Sequence, residues 1–226
     1  GEVAPAQGLI MDFGINDSEA VMKDPAKSAT QYFADAITAR GVLATLGQRK
    51  IAGDTASVLT SIKSATVTDI VERMITTSNN TMAEFLAHHI GGANGEYTYE
   101  SGAKATTEAL TAAQIDLTGV TILDGSGLSR SNQASAKSLV SALSYASKTD
   151  GPAWTNLSGL PVAGISGTLV DRYDVGEPGR GTVRAKTGTL SKVVALSGTL
   201  VDASGDLLIF TFIANDVQSS PKQGAA

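Results

Sequence analysis

The 226-residue chain, with 42% hydrophobic and 17% charged residues, is long enough to bury a hydrophobic core. Its formal net charge of -5 argues against nucleic acid binding, which requires a basic surface. The absence of cysteine excludes disulfides, thiolate catalysis and cysteine metal ligands. No apolar run approaches the ~18 residues that a membrane-spanning helix needs.

The first third of the chain predicts two strands and one helix. Residues 8–14 read as a short strand. Asp24 as N-cap and Pro25 at the first helical position then predict a helix that runs to about Arg40. After a polar, glycine-containing loop, residues 56–62 predict a second strand.

The middle of the chain predicts helices, two of them separated by a short polar break. Thr66 and Asp69 form a capping-box pattern that opens an amphipathic helix. This helix stops at the polar residues 76–80, and a second helix resumes at once and ends at residues 91–92. Two further helices are predicted, at residues 100–115 and 135–147.

The last third predicts three strands joined by short turns, at residues 183–190, 193–202 and 207–215. Short turns between successive strands favour an antiparallel meander. Helices followed by strands indicate a sheet covered by helices rather than repeated βαβ units. The predicted fold class is therefore α+β.

The strongest local chemical signal is Lys186-Thr187-Gly188 within the first of these strands. A lysine inside an apolar strand is costly unless its charge is used or paired, and a glycine lets a ligand approach the backbone closely. A cation, a hydroxyl group and an open backbone together suit a carboxylate ligand. The structural alternative is an edge-strand lysine that deters aggregation.

A second signal is Ser78-Asn79-Asn80 at the break between the two helices. Taken alone, serine and asparagine here indicate only a turn or a cap. Class A β-lactamases and penicillin-binding proteins carry three active-site elements in order, a Ser-x-x-Lys, a Ser-Asp-Asn and a Lys-Thr-Gly. This chain has counterparts of the second and third in that order.

Together with the sequence around them, these two elements make the chain resemble the D-alanyl-D-alanine carboxypeptidase/endopeptidase family of penicillin-binding proteins, DacB type. The resemblance extends over residues 24–215 and implies a serine transpeptidase/β-lactamase-like fold, an antiparallel sheet covered by helices. Five blocks carry it: residues 24–42, 78–84, 124–130, 160–169 and 185–190.

In such enzymes a serine attacks the carbonyl carbon between two D-alanines of a peptidoglycan stem peptide, and an acyl-enzyme forms. The resemblance implies that Ser78 relays a proton toward the leaving amine and that Asn80 holds the substrate amide and a neighbouring lysine. Lys186 would provide positive potential and help to set the protonation state of Ser78. These three residues are the predicted catalytic residues.

The resemblance also implies a substrate-binding set of Thr187, Gly188 and Thr189. Thr187 would hydrogen-bond the terminal carboxylate, and the backbone N–H of Thr189 would be one of two oxyanion donors. Strict strand alternation places Lys186 and Gly188 on one face and Thr187 on the other. Thr187 therefore reaches the site only if the strand is twisted and lies at the edge of the cleft.

One element of the family pattern, the Ser-x-x-Lys that carries the nucleophile, does not occur before Ser78. The two matches, Ser101-x-x-Lys104 and Ser219-x-x-Lys222, follow Ser78, and we interpret both as chance. We expect residues 1–226 to be the C-terminal part of the transpeptidase-like domain, without the nucleophile segment and the final helix. Such a chain should be inactive alone and should bind the missing N-terminal segment of the same protein.

The expected partners are stem peptides ending in D-Ala-D-Ala and β-lactam antibiotics, with no nucleic acid, no cofactor and no metal. The adjacent His88 and His89 point in different directions on a helix, which disfavours a metal site. We expect an extracytoplasmic location (periplasm, cell wall or secreted), with no leader peptide in these residues.

Two alternatives are a non-catalytic relative that binds peptidoglycan or a partner, and a serine β-lactamase. Class A β-lactamases use a Glu-x-x-Leu-Asn loop, and neither Glu84 nor Glu108 begins one. We therefore disfavour the β-lactamase. We expect Glu84, one helical turn after Asn80, to be a structural hydrogen-bond partner, and Asp124 to brace the turn at residues 125–127.

Overall fold

A computed structural model describes residues 3–5, 7–16, 18, 20–93, 95–148, 153 and 155–218. The chain divides into two compact units, Gly1–Ala65 and Thr66–Ala226. In these described ranges, no helix has the length and apolar character needed to cross a bilayer.

Among its described residues, the first unit contains one regular helix, α1 (Pro25–Thr38), preceded by a 3₁₀ turn at Asp12–Gly14. The Asp24 side chain accepts a hydrogen bond from the Lys27 N–H at 3.1 Å, which confirms the predicted cap. The predicted strand at 8–14 is wrong. Asp12 and Phe13 have φ values of 48° and 54°, and this left-handed conformation turns the chain where a strand would stay extended.

The strand predicted at 56–62 is also wrong, since these residues contain no regular secondary structure. Their large apolar side chains are exposed, with Val58 at 85%, Leu59 at 95% and Ile62 at 97%. A strand needs a hydrogen-bonding partner for its backbone. Within the described residues of this unit, segment 56–62 pairs with no other strand.

In the second unit, helices α2 (Val67–Thr77) and α3 (Asn80–Gly92) confirm the predicted helix-break-helix pattern. The capping box is confirmed, because the Thr66 side chain accepts from the Asp69 N–H and the Asp69 side chain accepts from the Thr66 N–H. The remaining regular helices among the described residues are α4 (Tyr99–Ala112), α5 (Ala136–Lys148) and the short α6 (Thr155–Ser158).

The strands are β1 (Val183–Leu190), β2 (Val193–Val201) and β3 (Leu207–Asn215), in the order β1-β2-β3 with antiparallel pairing throughout. Helix α5 packs against β2 and β3. The predicted antiparallel meander covered by helices, and with it the α+β class, is confirmed.

The two faces of the sheet differ in exposure. Ile209 and Ile213 are half-buried, whereas Leu208 and Phe212 on the opposite face are 46% and 66% exposed. Between these two exposed residues, Phe210 is half-buried and packs against a buried cluster that includes Ala185. Lys186 belongs to the Ile209 face, because its cross-strand neighbours are Ser197 and then Thr211, and alternate residues of a strand share a face.

The first half of β1 is locked at its outer edge, the edge away from β2. The Ala185 N–H donates to the Pro161 carbonyl, and the Ala163 N–H donates to the Val183 carbonyl, both at 2.9 Å. Residues 161–169 also pack against β1 through a buried apolar cluster, which consists of Ala163, Leu169, Val183 and Ala185. Past Ala185, no strand covers the outer edge of β1 within the described residues.

Candidate active site

Ser78 lies at the end of α2 in a left-handed conformation, with φ 55° and ψ 45°. For a non-glycine residue this backbone conformation costs about 1 kcal/mol or more, and contacts with the surrounding structure must offset that cost. Its N–H caps the helix by donating to the Ile75 carbonyl at 3.3 Å. The polar break thus turns the chain sharply between α2 and α3 and presents the half-buried serine at the corner.

Lys186 reaches this corner from β1. Its Nζ donates to Ser78 Oγ at 2.7 Å and to the Thr187 carbonyl at 2.8 Å. Burial lowers the pKa of Lys186 from 10.5 to about 8. Within the described residues, no carboxylate forms an ion pair with it. The lysine is therefore not a solvated edge residue but a half-buried cation whose charge is free for a ligand or a proton transfer.

Asn80, the third predicted catalytic residue, is the first residue of α3 and is half-buried. Its backbone position, two residues after Ser78, places it on the same corner. Among the hydrogen bonds of the described residues, its side chain makes none with Lys186. The structure thus brings Ser78 and Lys186 into contact and leaves Asn80 beside them.

Thr187 meets the geometric condition set by strand alternation, because β1 is an edge strand at this point. The Thr187 carbonyl points away from β2, as do the outward-facing backbone groups of Ala185, and it accepts the bond from Lys186. The half-buried Thr187 side chain donates to Thr168 Oγ1 at 3.0 Å. A lysine on one face and a threonine on the other therefore meet at the open edge.

Gly188 and Thr189 continue this edge. Gly188 is exposed, and a Cβ added to it would meet only Ala195 Cβ, at an ordinary 3.5 Å. By the alternation that sends the Ala185 N–H to Pro161, the Thr189 N–H also points outward, to the uncovered edge. The strand therefore presents a backbone donor beside the lysine and the threonine hydroxyl.

A loop at residues 124–132 is held close to α3 by a buried carboxylate. Glu84, only 4% exposed, accepts from the Gly125 N–H at 2.9 Å, the Ser126 N–H at 3.0 Å and the Ser126 hydroxyl at 2.5 Å. Asp124 accepts from the Gly127 N–H at 2.8 Å and the Ser129 N–H at 2.6 Å. Both carboxylates are saturated with structural bonds, as predicted.

Two residues that the sequence reasoning assigned no role contact the site elements. Arg130, from the loop, donates from Nη2 to the Ser191 carbonyl at 2.7 Å and so ties the loop to the β1–β2 turn. Thr168 contacts Thr187, as described above. Both residues lie in blocks that carry the family resemblance, which is the signal that could have found them.

The model of the D-Ala-D-Ala carboxypeptidase 3 (S13) family matches residues 14–226. The chain belongs to this family. The resemblance found in the sequence is thereby confirmed.

Relatives with curated descriptions match most of the chain. Carboxypeptidase DacB of Mycolicibacterium smegmatis is 33% identical over 225 residues, 96% of this chain and 48% of that protein. The D-alanyl-D-alanine carboxypeptidase of Actinomadura sp. (strain R39) is 36% identical over 208 residues, 88% of this chain and 38% of that protein. The chain spans about half or less of the length of these relatives.

Among solved structures, penicillin-binding protein 4 (dacB) of Haemophilus influenzae, complexed with a β-lactam, matches with 28% identity and a TM-score of 0.62. The match covers 69% of this chain and 37% of that one. The α+β fold, an antiparallel sheet covered by helices, is therefore confirmed for the matched part.

The serine of the Ser-x-x-Lys match at Ser101 takes part in capping helix α4. The Ser101 hydroxyl donates to the Glu96 carbonyl at 2.5 Å and accepts from the Thr98 N–H at 3.0 Å, within the capping box of α4. Its Lys104 is exposed and lies 3.9 Å from Glu108. The other match, Ser219-x-x-Lys222, lies outside the described residues.

The two histidines are engaged with aromatic rings. The ring of His88 packs edge-on against Tyr99 at 4.7 Å, and that of His89 packs against Tyr97 at 5.8 Å. In the part of the chain that the structure describes, no three His, Asp or Glu side chains are grouped to hold a metal ion.

Proposed function

We propose that this chain supplies the substrate-binding and proton-relay side of a penicillin-binding serine D-Ala-D-Ala carboxypeptidase or endopeptidase. The observation that carries the proposal is the 2.7 Å contact between Lys186 Nζ and Ser78 Oγ at the open edge of β1. Membership of the S13 family and the names of the curated relatives support it.

In the proposed reaction, a serine oxygen attacks the carbonyl carbon between two D-alanines, the C–N bond breaks and D-Ala leaves. Its amine must gain a proton as the bond breaks. Ser78 donates that proton from Oγ and recovers one from Lys186, whose ammonium already donates to it. The attacking serine releases one proton as the ester forms, and this proton restores the ammonium of Lys186. Water then cleaves the ester.

The substrate side of the proposal rests on charge and edge geometry. A stem peptide that ends in D-Ala-D-Ala carries a free carboxylate, which suits the unpaired Lys186 cation and the Thr187 hydroxyl. Gly188 leaves room for the peptide to lie against the strand. The outward N–H of Thr189 is proposed as an oxyanion donor, and one such donor contributes about 3 kcal/mol to transition-state stabilisation. Asn80 is proposed to hold the substrate amide.

We propose that the nucleophilic serine belongs to a segment of the same protein outside these residues. The Ser101 hydroxyl is held in the capping box of α4, and the described part of the chain contains no other Ser-x-x-Lys. This segment would be the intramolecular partner of the site. The exposed Leu208 and Phe212 provide apolar surface against which further chain could pack.

The proposed ligands are peptidoglycan stem peptides and β-lactam antibiotics, and the proposed location is outside the cytoplasm, where peptidoglycan is assembled. The β-lactam complex of the Haemophilus influenzae protein supports the second ligand class. A β-lactam carries a carboxylate beside a strained amide, so it matches the same edge features.

The test uses the full-length protein that contains this chain. D-Ala release from a peptide ending in D-Ala-D-Ala is measured together with the mass of a fluorescent-penicillin adduct. We expect turnover and one adduct in the wild type, and losses of at least about 100-fold in Ser78→Ala and Lys186→Met, consistent with loss of a proton-transfer group. Lys104→Met, which changes an exposed lysine, should retain activity.

Other outcomes identify the alternatives. A full-length protein with neither turnover nor an adduct would be a non-catalytic relative. Rapid release of hydrolysed penicillin without D-Ala release would indicate a β-lactamase. Loss of activity in Lys104→Met would instead indicate that Ser101, in the Ser-x-x-Lys match with Lys104, is the nucleophile.

A further inference from the structure

Thr168 contacts the substrate-binding edge from a part of the chain outside the Ser-x-Asn and Lys-Thr-Gly elements. Its Oγ1 lies 3.0 Å from Thr187 Oγ1, and both side chains are half-buried. Among the described residues, Thr187 is the hydrogen-bonding partner of the Thr168 side chain. A hydroxyl group has one proton and two lone pairs, and its proton rotates to suit its neighbours. The direction of this bond can therefore reverse when a ligand arrives.

The 3₁₀ turn that carries Thr168, Gly167–Leu169, is held rigidly. Leu169 is fully buried, and its carbonyl accepts from the Gly164 N–H at 2.8 Å. Gly167, with φ 57°, lies so close to the carbonyl oxygen of Thr76 that a Cβ would overlap it. The turn is thus wedged between the end of α2, which leads into Ser78, and β1, which carries Lys186.

We propose that Thr168 is a positioning residue that holds the Thr187 hydroxyl toward the terminal carboxylate of the substrate. The proposal rests on the proposed function and deepens it. With an anion bound, Thr168 donates to Thr187 Oγ1, and Thr187 donates its own proton to the carboxylate. A hydroxyl that accepts one hydrogen bond donates a stronger one.

The rotamer of Thr187 is part of this effect. Threonine outside a helix has more than one accessible χ1 well, and only the well that faces the open edge serves a substrate. A fixed hydroxyl at 3.0 Å favours that well before the substrate arrives. Thr168 thereby acts through Thr187 and not by contacting the reacting atoms.

The experiment compares threonine variants of the full-length protein by kcat/KM for D-Ala release and by the rate of penicillin acylation. Thr168→Val preserves shape and removes the hydroxyl, and we expect it to lower both by about tenfold, the loss of one hydrogen bond in a network ending on a charge. Thr168→Ser keeps the hydroxyl and should stay within about twofold of wild type. Thr182→Val, the same change at an exposed threonine before β1, should have no effect.

A double-mutant cycle separates positioning from a general structural role. Because Thr168 acts through Thr187, Thr168→Val should cause no further loss in a Thr187→Val background. Equal activity of Thr168→Val and wild type would overturn the proposal, and so would additive losses or a failure of serine to rescue. If the valine variant melts at a lower temperature, Thr168→Ala must reproduce the same pattern.

Failure of the proposed function is recognised separately. It shows in the wild-type protein as an absence of both turnover and adduct, and the role of Thr168 falls with it. An active wild type with an unaffected Thr168→Val variant overturns only the role of Thr168.

Discussion

Lys186 Nζ lies 2.7 Å from Ser78 Oγ, although 108 residues of chain separate the two residues. The contact joins the C-terminal end of α2 to the edge strand β1. It explains why a lysine is tolerated inside an apolar strand, since its ammonium has two oxygen acceptors within 2.8 Å. It also removes the lysine from bulk water, and this burial lowers its pKa.

The first prediction concerns the pH dependence of stability. The pKa of Lys186 falls from 10.5 to about 8 by burial, so folding favours the neutral amine. Burial of the charged ammonium therefore destabilises the folded state, and this destabilisation is fully present below about pH 8. It is relieved as the pH rises toward 10.5, because the unfolded chain binds more protons than the folded chain in that window. Relative to Lys186→Met, the wild type should gain about 2 kcal/mol of unfolding free energy between about pH 7 and pH 9.5.

This difference is measured by urea unfolding of the full-length protein at both pH values. Titrations elsewhere cancel in the comparison of the two variants. Lys104→Met, at an exposed lysine, should show no such change relative to wild type. A difference between wild type and Lys186→Met that stays flat over this range would show that Lys186 titrates normally.

The second prediction separates ligand approach from folding at Gly188. A Cβ at Gly188 has room, so Gly188→Ala should leave the melting temperature unchanged. It should still slow penicillin acylation about tenfold or more, because the methyl group occupies the space where a ligand meets the strand. Both properties are measured on the same preparation.

Gly198→Ala is the matched comparison, because this glycine lies in the neighbouring strand. A Cβ at this position would overlap the Arg184 carbonyl oxygen, so this variant should lose stability. If Gly188→Ala acylates at the wild-type rate, the ligand does not lie against this part of β1.

The third prediction concerns the close approach of Gly167 to the Thr76 carbonyl oxygen of α2. Gly167→Ala should destabilise the protein by about 3 kcal/mol or more, since a left-handed φ and an overlap with the Thr76 carbonyl add together. Gly176→Ala has a φ of 94° and nothing within 4 Å, so it should show only the cost of the conformation, about 1 kcal/mol. The difference between the two, from chemical denaturation, measures the contact between the turn and α2. Equal losses would show that the turn does not press on the helix.

The fourth prediction assigns Glu84 a structural role. Glu84→Gln replaces an acceptor-only carboxylate that receives three hydrogen bonds, and should cost about 2 to 3 kcal/mol of stability. Glu108→Gln, at an exposed helix position, should cost less than about 0.5 kcal/mol. A stable Glu84→Gln variant in which the penicillin adduct accumulates without hydrolysis would instead identify Glu84 as a deacylation base.

Much of the fold was predictable because its signals are local. The capping box of Thr66 and Asp69 and the Asp24 cap set helix starts through bonds that span three residues, and the strands of the meander are joined by short turns. The two wrong strands, at 8–14 and 56–62, had the composition of strands but lacked a partner or an extended backbone. Pairing depends on distant chain, which local composition does not encode.

The candidate site, too, was predictable in part from local signals and in part only from the tertiary structure. Its residue types and their order could be read from the motifs at Ser78 and Lys186. The blocks of family resemblance include Thr168 and Arg130 but do not reveal what they contact. Those contacts are hydrogen bonds between residues 19 and 61 positions apart in the chain, respectively.

The sequence by itself determined which groups this protein has for chemistry and the family to which it belongs, because motif order and residue type are properties of the linear chain. Only the tertiary structure decided that the lysine ammonium meets the serine hydroxyl and that burial lowers the lysine pKa. It also decided that Thr187, on the face opposite Lys186, still reaches the site, because β1 is an edge strand there. Desolvation and hydrogen-bond geometry depend on what packs around a group, and that is set by residues far away in the chain.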